Sequence, residues 1–159
     1  MDSKNKVRRL DQKLAIYSGI VESISKLSAA STMKVGCMAI KSDFSKMSSF
    51  GYNGSYPGAE VYEETGTIEE SLEPGSSGLI HAEINMIAKF KEPDPEKHIV
   101  ILTHSPCRHC TKVLCTAGFK YIYWINEYRI TEHFHILNEC NVNYGDISQL
   151  KKDYQQYFL

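Results

Sequence analysis

The sequence predicts an α/β fold, a mixed sheet flanked by helices, and three observations carry that prediction. Short apolar runs alternate with segments of helical apolar spacing along most of the chain. Two strand-like runs, 35–40 and 47–52, are close enough to pair as a hairpin, whereas the later ones are separated by stretches long enough for helical crossovers. A length of 159 residues suits one domain with a full core. The expected organisation is therefore a single domain, 1–159, with a long polar loop at about 53–78.

Each element has its own local reason. Arg8 to Ser28 places Leu10, Leu14, Tyr17, Val21 and Ile24 at helical steps, an amphipathic first helix. Val35 to Ile40 and Met47 to Tyr52 read as strands joined by a turn around Ser42-Asp43. Asn53 to Gly78 is rich in Gly, Glu and Ser, and connections of that length in compact domains are usually functional or mobile. Leu79 to Phe90 has helical spacing and places His81 and Glu83 in its first turn, just after the loop Pro74 to Gly78. Pro93 and Pro95 make Lys91 to Lys97 a loop.

Ile99 to Leu102 reads as a short buried strand that ends at Thr103 to Pro106. Cys107 to Gly118 follows as a helix closed by a glycine cap. Tyr121 to Ile125 is a fourth strand, Thr131 to Glu139 a helix, Val142 to Tyr144 a fifth strand, and Ile147 to Tyr157 a final helix.

Charge and cysteine content narrow the function classes. The formal net charge is -1 and the only basic tract is Lys4 to Arg9, which argues against a polynucleotide partner. No stretch is long and apolar enough to span a membrane, and the N-terminus lacks the apolar core of a secretory signal. Five cysteines, an odd number, point to a reducing, cytoplasmic compartment rather than a disulfide scaffold.

The chemistry concentrates in His81-Ala82-Glu83 and Pro106-Cys107-Arg108-His109-Cys110. His81, Cys107 and Cys110 supply the three donors of a catalytic zinc site, whose fourth position is left to water. Cys107 and Cys110 fall one turn apart at a helix N-terminus, where the dipole and unsatisfied N–H groups favour thiolates. Glu83 is placed to move protons without being a ligand, and H-x-E…P-C-x-x-C is the signature of zinc nucleobase deaminases. Taken alone, Cys107 and Cys110 would also suit a redox pair or half of a structural zinc site. The structural reading needs a fourth protein ligand; Cys37, Cys115, Cys140, His104 and His109 have the right type but no paired spacing. His109 is expected to turn away from the metal, and His98, His133 and His135 receive no role.

Several stretches together resemble the cytidine deaminase superfamily, and within it the deoxycytidylate (dCMP) deaminases, particularly compact bacteriophage members. They are Met33-Lys34-Val35-Gly36, Gly51-Tyr52-Asn53-Gly54, His81-Ala82-Glu83-Ile84-Asn85, Ser105-Pro106-Cys107-Arg108-His109-Cys110 and Asn126-Glu127-Tyr128-Arg129. The Gly-Tyr-Asn-Gly stretch and the Ser-Pro before Cys107 lean toward the dCMP branch. The resemblance implies a three-layer α/β/α sandwich with a mixed five-stranded sheet. It also implies conversion of dCMP to dUMP and ammonia, supplying dUMP for thymidylate synthesis.

Residue roles follow from the same resemblance. Asn53 would reach the sugar, Tyr128 would stack on or line the base pocket, and Arg129 would pair with the 5′-phosphate, with Lys34 a second phosphate candidate. A backbone N–H at Ala82 or Cys107 is a candidate for orienting the base and the hydroxide. Glu83 would take a proton from a water whose pKa zinc has lowered, then deliver protons to N3 and to the departing amino group. The resemblance further implies a homo-oligomer, a hexamer rather than a dimer, and dCTP and dTTP as effectors.

The sequence departs from the family pattern in the loop after Gly54. Tyr56 is inserted near the substrate, and the cysteines that hold a second zinc in some members are missing, so one Zn2+ is expected. Glu60, Glu63, Glu64, Glu69, Glu70 and Glu73 stand in the loop instead, which weakens the expectation of dCTP and dTTP control. The alternatives are a deaminase of 5-modified dCMP, of free (deoxy)cytidine or of a tRNA base, or a non-catalytic zinc-binding protein of this fold. The intact Glu83 speaks against the last, since a structural zinc needs no acid/base group.

Overall fold

The computed structural model describes residues 2–31, 33–58, 79–128 and 130–159. The acidic run from Glu60 to Glu73 and Arg129 lie outside the described residues.

Helix α1 (Ser3–Ser25) begins earlier than its apolar periodicity indicates, because Asp2 caps it by accepting the Lys4 N–H at 3.3 Å. Its first turn, Ser3 to Lys6, carries exposed polar side chains and so contributes nothing to the hydrophobic pattern. A hairpin follows, β1 (Gly36–Lys41) and β2 (Met47–Tyr52), close to the predicted bounds. Next come α2 (Ala82–Lys89), β3 (His98–His104), α3 (Arg108–Thr116) and β4 (Tyr121–Asn126). The chain ends with α4 (His135–Glu139), β5 (Asn143–Asp146) and α5 (Ile147–Tyr157).

Two predicted helices are shorter than expected. Ile80 does not join α2; it forms an isolated bridge with Gly54, exchanging hydrogen bonds of 3.1 and 2.8 Å. The stretch Thr131 to Glu139 opens with a separate 3-10 turn, Glu132–Phe134, which carries His133 into the interior. The glycine cap of α3 is present, with Gly118 at φ +95° and its N–H on the Cys115 carbonyl.

The five strands form one mixed sheet in the order β2-β1-β3-β4-β5. β1 runs antiparallel to β2 and β3, while β3, β4 and β5 are parallel. Strand alternation sorts the side chains to two faces. Met38, Ile40, Ile99, Ile101 and Tyr123 pack with Leu10, Leu14, Val21 and Leu150 of α1 and α5. Cys37, Ala39, Val100, Leu102, Ile122 and Trp124 pack with Ala82, Met86, Leu114 and Leu137 of α2, α3 and α4. The result is the expected three-layer α/β/α sandwich.

This topology also places the chemistry. Because β1 is antiparallel to both of its neighbours, β2, β3 and β4 all point the same way. Asn53, Cys107 and Tyr128 therefore leave the sheet at one end, the end where α/β ligand sites form.

Candidate active site

His81 is the N-cap of α2 and Cys107 the N-cap of α3, both in extended backbone conformation. The two helix starts converge, so the positive ends of both dipoles meet over one point. His81 Nδ1 lies 3.5 Å from Cys107 Sγ and 3.4 Å from Cys110 Sγ. All three donor atoms fall within 4.8 Å of one another and all three residues are buried.

The spacing is that of a metal centre. A tetrahedral zinc with a nitrogen at ~2.0–2.1 Å and a sulfur at ~2.3 Å separates those two atoms by about 3.5 Å. The structure also settles the imidazole face, since Nδ1 points at the sulfurs. His104 and His109 stay outside the cluster: His109 is exposed, and His104 Nδ1 lies against Thr103 Oγ1. Among the described residues, this is the one group of three or more candidate ligands that meets the geometry of a metal site.

The sulfurs differ in protonation. Cys107 Sγ accepts hydrogen bonds from the Cys110 thiol, from His81 and from the Cys110 N–H, which hold it well below the ordinary thiol range. The same Cys110–Cys107 bond, together with burial, pushes the Cys110 thiol up. Two sulfurs and an imidazole nitrogen converging on one point are a donor set matched to a divalent cation.

Glu83 sits in the first turn of α2, 4% exposed, beside this cluster. Burial and the neighbouring Cys107 sulfur push its carboxyl up to about 7. A buried carboxyl balanced near neutrality is the kind of group that passes protons in both directions.

A small pocket opens over the cluster. His81, Glu83 and Cys107 contribute to its lining, and Ala82, Asn53 and Tyr128 form walls. Tyr128 stacks on His104 with ring centroids 5.3 Å apart, and its hydroxyl donates to Met33 Sδ, another lining atom. Burial and the negative charge of Glu83, Cys107 and Cys110 push the Tyr128 phenol above its ordinary range, a sign of how closely it faces the cluster.

The other predicted contacts divide. Asn53 is buried on the wall, but its amide already holds the neighbouring strap: Oδ1 accepts the Val35 N–H at 2.9 Å and Nδ2 donates to the Met33 carbonyl at 2.8 Å. One N–H and one lone pair remain for a ligand. Lys34, between two lining residues, is exposed and does not line the pocket. Arg129 lies outside the described residues.

Sequence reasoning missed the supports. Ser105 accepts the Tyr128 N–H at 2.8 Å and donates its own N–H to the Asn126 carbonyl at 2.9 Å, tying the segment after β4 to the residues before Cys107. His133 Nε2 bonds the Pro106 carbonyl at 2.7 Å. Neither residue has a spacing that signals such a role; the Ser-Pro pair before Cys107 was the only hint.

Comparison with known proteins agrees with this geometry. The family model of the cytidine and deoxycytidylate deaminase zinc-binding region matches residues 12–126. The structure of dCMP deaminase from the cyanophage S-TIM5 in complex with dCMP and dUMP is 30% identical, with a TM-score of 0.68. That match covers 92% of this chain and 98% of the phage chain. Acinetobacter baumannii RibD is similar in fold, at 19% identity and a TM-score of 0.60, covering 93% of this chain and 39% of its own. ComE operon protein 2 of Bacillus subtilis (strain 168) is 33% identical over 87 residues, 53% of this chain. The matched region spans 44% of the length of that curated relative. Among the described residues no helix is long and apolar enough to cross a membrane. With the zinc motif, its folded donor cluster and a family match across most of the sheet, the chain belongs to the cytidine and deoxycytidylate deaminase zinc-binding family.

Proposed function

We propose that this protein is a zinc-dependent hydrolytic deaminase that converts dCMP and water to dUMP and ammonia, supplying dUMP for thymidylate synthesis. The observation that carries the reading is Glu83 buried beside the His81–Cys107–Cys110 cluster at the base of the pocket. The likeness to a phage dCMP deaminase solved with dCMP and dUMP supports the choice of substrate.

His81 Nδ1 and the Cys107 and Cys110 sulfurs would hold one Zn2+, which would supply Lewis acidity that makes water nucleophilic near neutral pH. Glu83 would take a proton from the attacking water as the water oxygen adds to C4 of cytosine, and would pass that proton to N3. The same carboxyl would then carry the second proton, from the hydroxyl formed at C4, to the amino group as its bond to C4 breaks and it leaves as ammonia. Burial at Glu83 keeps its affinity for the proton close to what both transfers require.

Tyr128, Asn53 and the Ala82 backbone form the walls that orient the base and sugar. Arg129 is assigned to the 5′-phosphate, with Lys34, exposed and outside the pocket lining, a second candidate. Assembly as a homo-hexamer rather than a dimer, in a cytoplasmic setting, belongs to the same proposal. Ile16 and Leu27, 64% and 61% exposed, are apolar side chains available for a neighbouring copy to cover.

The test is ammonia release by zinc-loaded protein with dCMP, deoxycytidine, CMP and 5-methyl-dCMP in parallel, with and without dCTP. Strong preference for dCMP over deoxycytidine is the expected result. Equal or better turnover of the nucleoside, or turnover of none of the four, overturns the dCMP assignment.

A further inference from the structure

We infer that His133 is a positioning residue for the metal centre, holding Cys107 at the angle that aims its sulfur at the other two donors. This inference rests on the metal reading of His81, Cys107 and Cys110 and extends it to a residue outside the motif.

Cys107 sits between two peptide planes, and each plane is held by a different element. Its own carbonyl accepts the Thr111 N–H at 2.9 Å and the Thr111 hydroxyl at 2.8 Å, both from within α3. The preceding plane, which joins the Pro106 carbonyl to the Cys107 nitrogen, has no partner in α3. His133 Nε2 bonds that carbonyl at 2.7 Å. A peptide unit is rigid, so anchoring its oxygen also fixes the direction of the Cys107 N–Cα bond. With both planes held, the Cβ–Sγ bond of Cys107 is left only its side-chain rotamers.

A carbonyl oxygen only accepts, so Nε2 of His133 carries the proton in this contact. The ring is fixed in turn. His133 is 3% exposed and stands edge-on to Phe134 at 5.1 Å, and Phe134 packs on Trp124 at 4.9 Å. The 3-10 turn that carries His133 therefore couples the sheet core to the loop before α3. Partners that orient metal ligands in this way change metal affinity or activity by roughly 10–100-fold when removed.

Three substitutions separate donation from packing. His133→Phe keeps a ring and removes the donor; His133→Gln extends an amide N–H about as far as Nε2; His133→Asn carries the same amide one methylene short. Zinc affinity is measured by competition with a chromogenic chelator, and ligand geometry by the visible spectrum of the Co2+-substituted protein. The expected result is a loss of zinc affinity of roughly 10–100-fold with an altered cobalt spectrum for Phe and Asn, and recovery of both by Gln.

Wild-type affinity and spectrum in His133→Phe overturn the inference, as does equal impairment of Gln and Asn, which differ only in reach. Should the Phe variant fail to fold, the Gln–Asn comparison decides alone. Wild-type protein that binds no zinc overturns the metal reading itself, a result distinct from wild-type binding with an indifferent His133.

Discussion

Gly51 of β2 lies so close to Ala82 of α2 that a Cβ on the glycine would sit 2.4 Å from the Ala82 carbonyl oxygen. The next nearest atoms are the Met86 nitrogen at 2.5 Å and the Asn85 carbonyl carbon at 3.0 Å, all backbone and none able to swing aside. The helix capped by His81 is thus seated directly on the strand that ends before Asn53. Asn85 adds a side-chain bond of 2.9 Å to the Tyr52 carbonyl. Gly51→Ala forces the two apart, with an expected loss of about 1–3 kcal/mol. At roughly 2–4 °C per kcal/mol the shift is visible in thermal unfolding. Zinc affinity is expected to fall as well, because His81 moves with α2; a variant with wild-type melting temperature and zinc affinity contradicts this account.

Glu83→Gln preserves the shape of the side chain but removes the proton-carrying carboxylate. Zinc content is expected to remain at the wild-type stoichiometry while kcat for ammonia release drops by roughly 10²–10⁴-fold. A Gln variant that keeps most of its turnover rules out the proton-shuttle role.

Cys110→Ala leaves two of the three donors. Both metal and activity are expected to disappear together, with native mass spectrometry showing the zinc-free mass. Tight one-to-one zinc binding by this variant would mean that the donor set is wrong.

Asn53→Ala strands the Val35 N–H and the Met33 carbonyl, both of which lose an amide partner. An unsatisfied buried group costs about 1–3 kcal/mol. Since Met33 and Val35 line the pocket, KM for dCMP is expected to rise together with the loss of stability. If stability falls and KM stays put, Asn53 serves the fold alone.

The cap of α5 supplies a pH signature away from the metal. Asp146 is held below the ordinary carboxylate range by its hydrogen bond from Ser148 and by the Gln149 N–H, which it accepts at 2.9 Å. A depressed folded-state pKa means that the cap stabilises fully above the unfolded value of about 4, and that this contribution fades as pH falls through the folded value. Asp146→Ala is expected to lose about 1 kcal/mol at pH 7 and progressively less in acid. A difference between variant and wild type that does not shrink with acidification refutes the assignment.

Composition and spacing alone determined the α/β class and the positions of the five strands, and singled out three candidate donors with Glu83 between them. These features are local: a strand announces itself by a short apolar run, and a zinc motif by the few residues that a helix start brings together. What only the tertiary structure decided depends on contacts distant in sequence. The Nδ1 face of His81 follows from how α2 and α3 meet over the sheet. The start of α1 escaped the periodicity because its cap, Asp2, precedes a first turn with no apolar residue. Ile80 was lost to its helix because Gly54 offered it a strand partner. His133 and Ser105 acquire their roles only when the segment after β4 folds back on the loop before Cys107. A backbone hydrogen bond carries no sequence spacing of its own, so the motif names the candidate ligands and the fold selects what holds them.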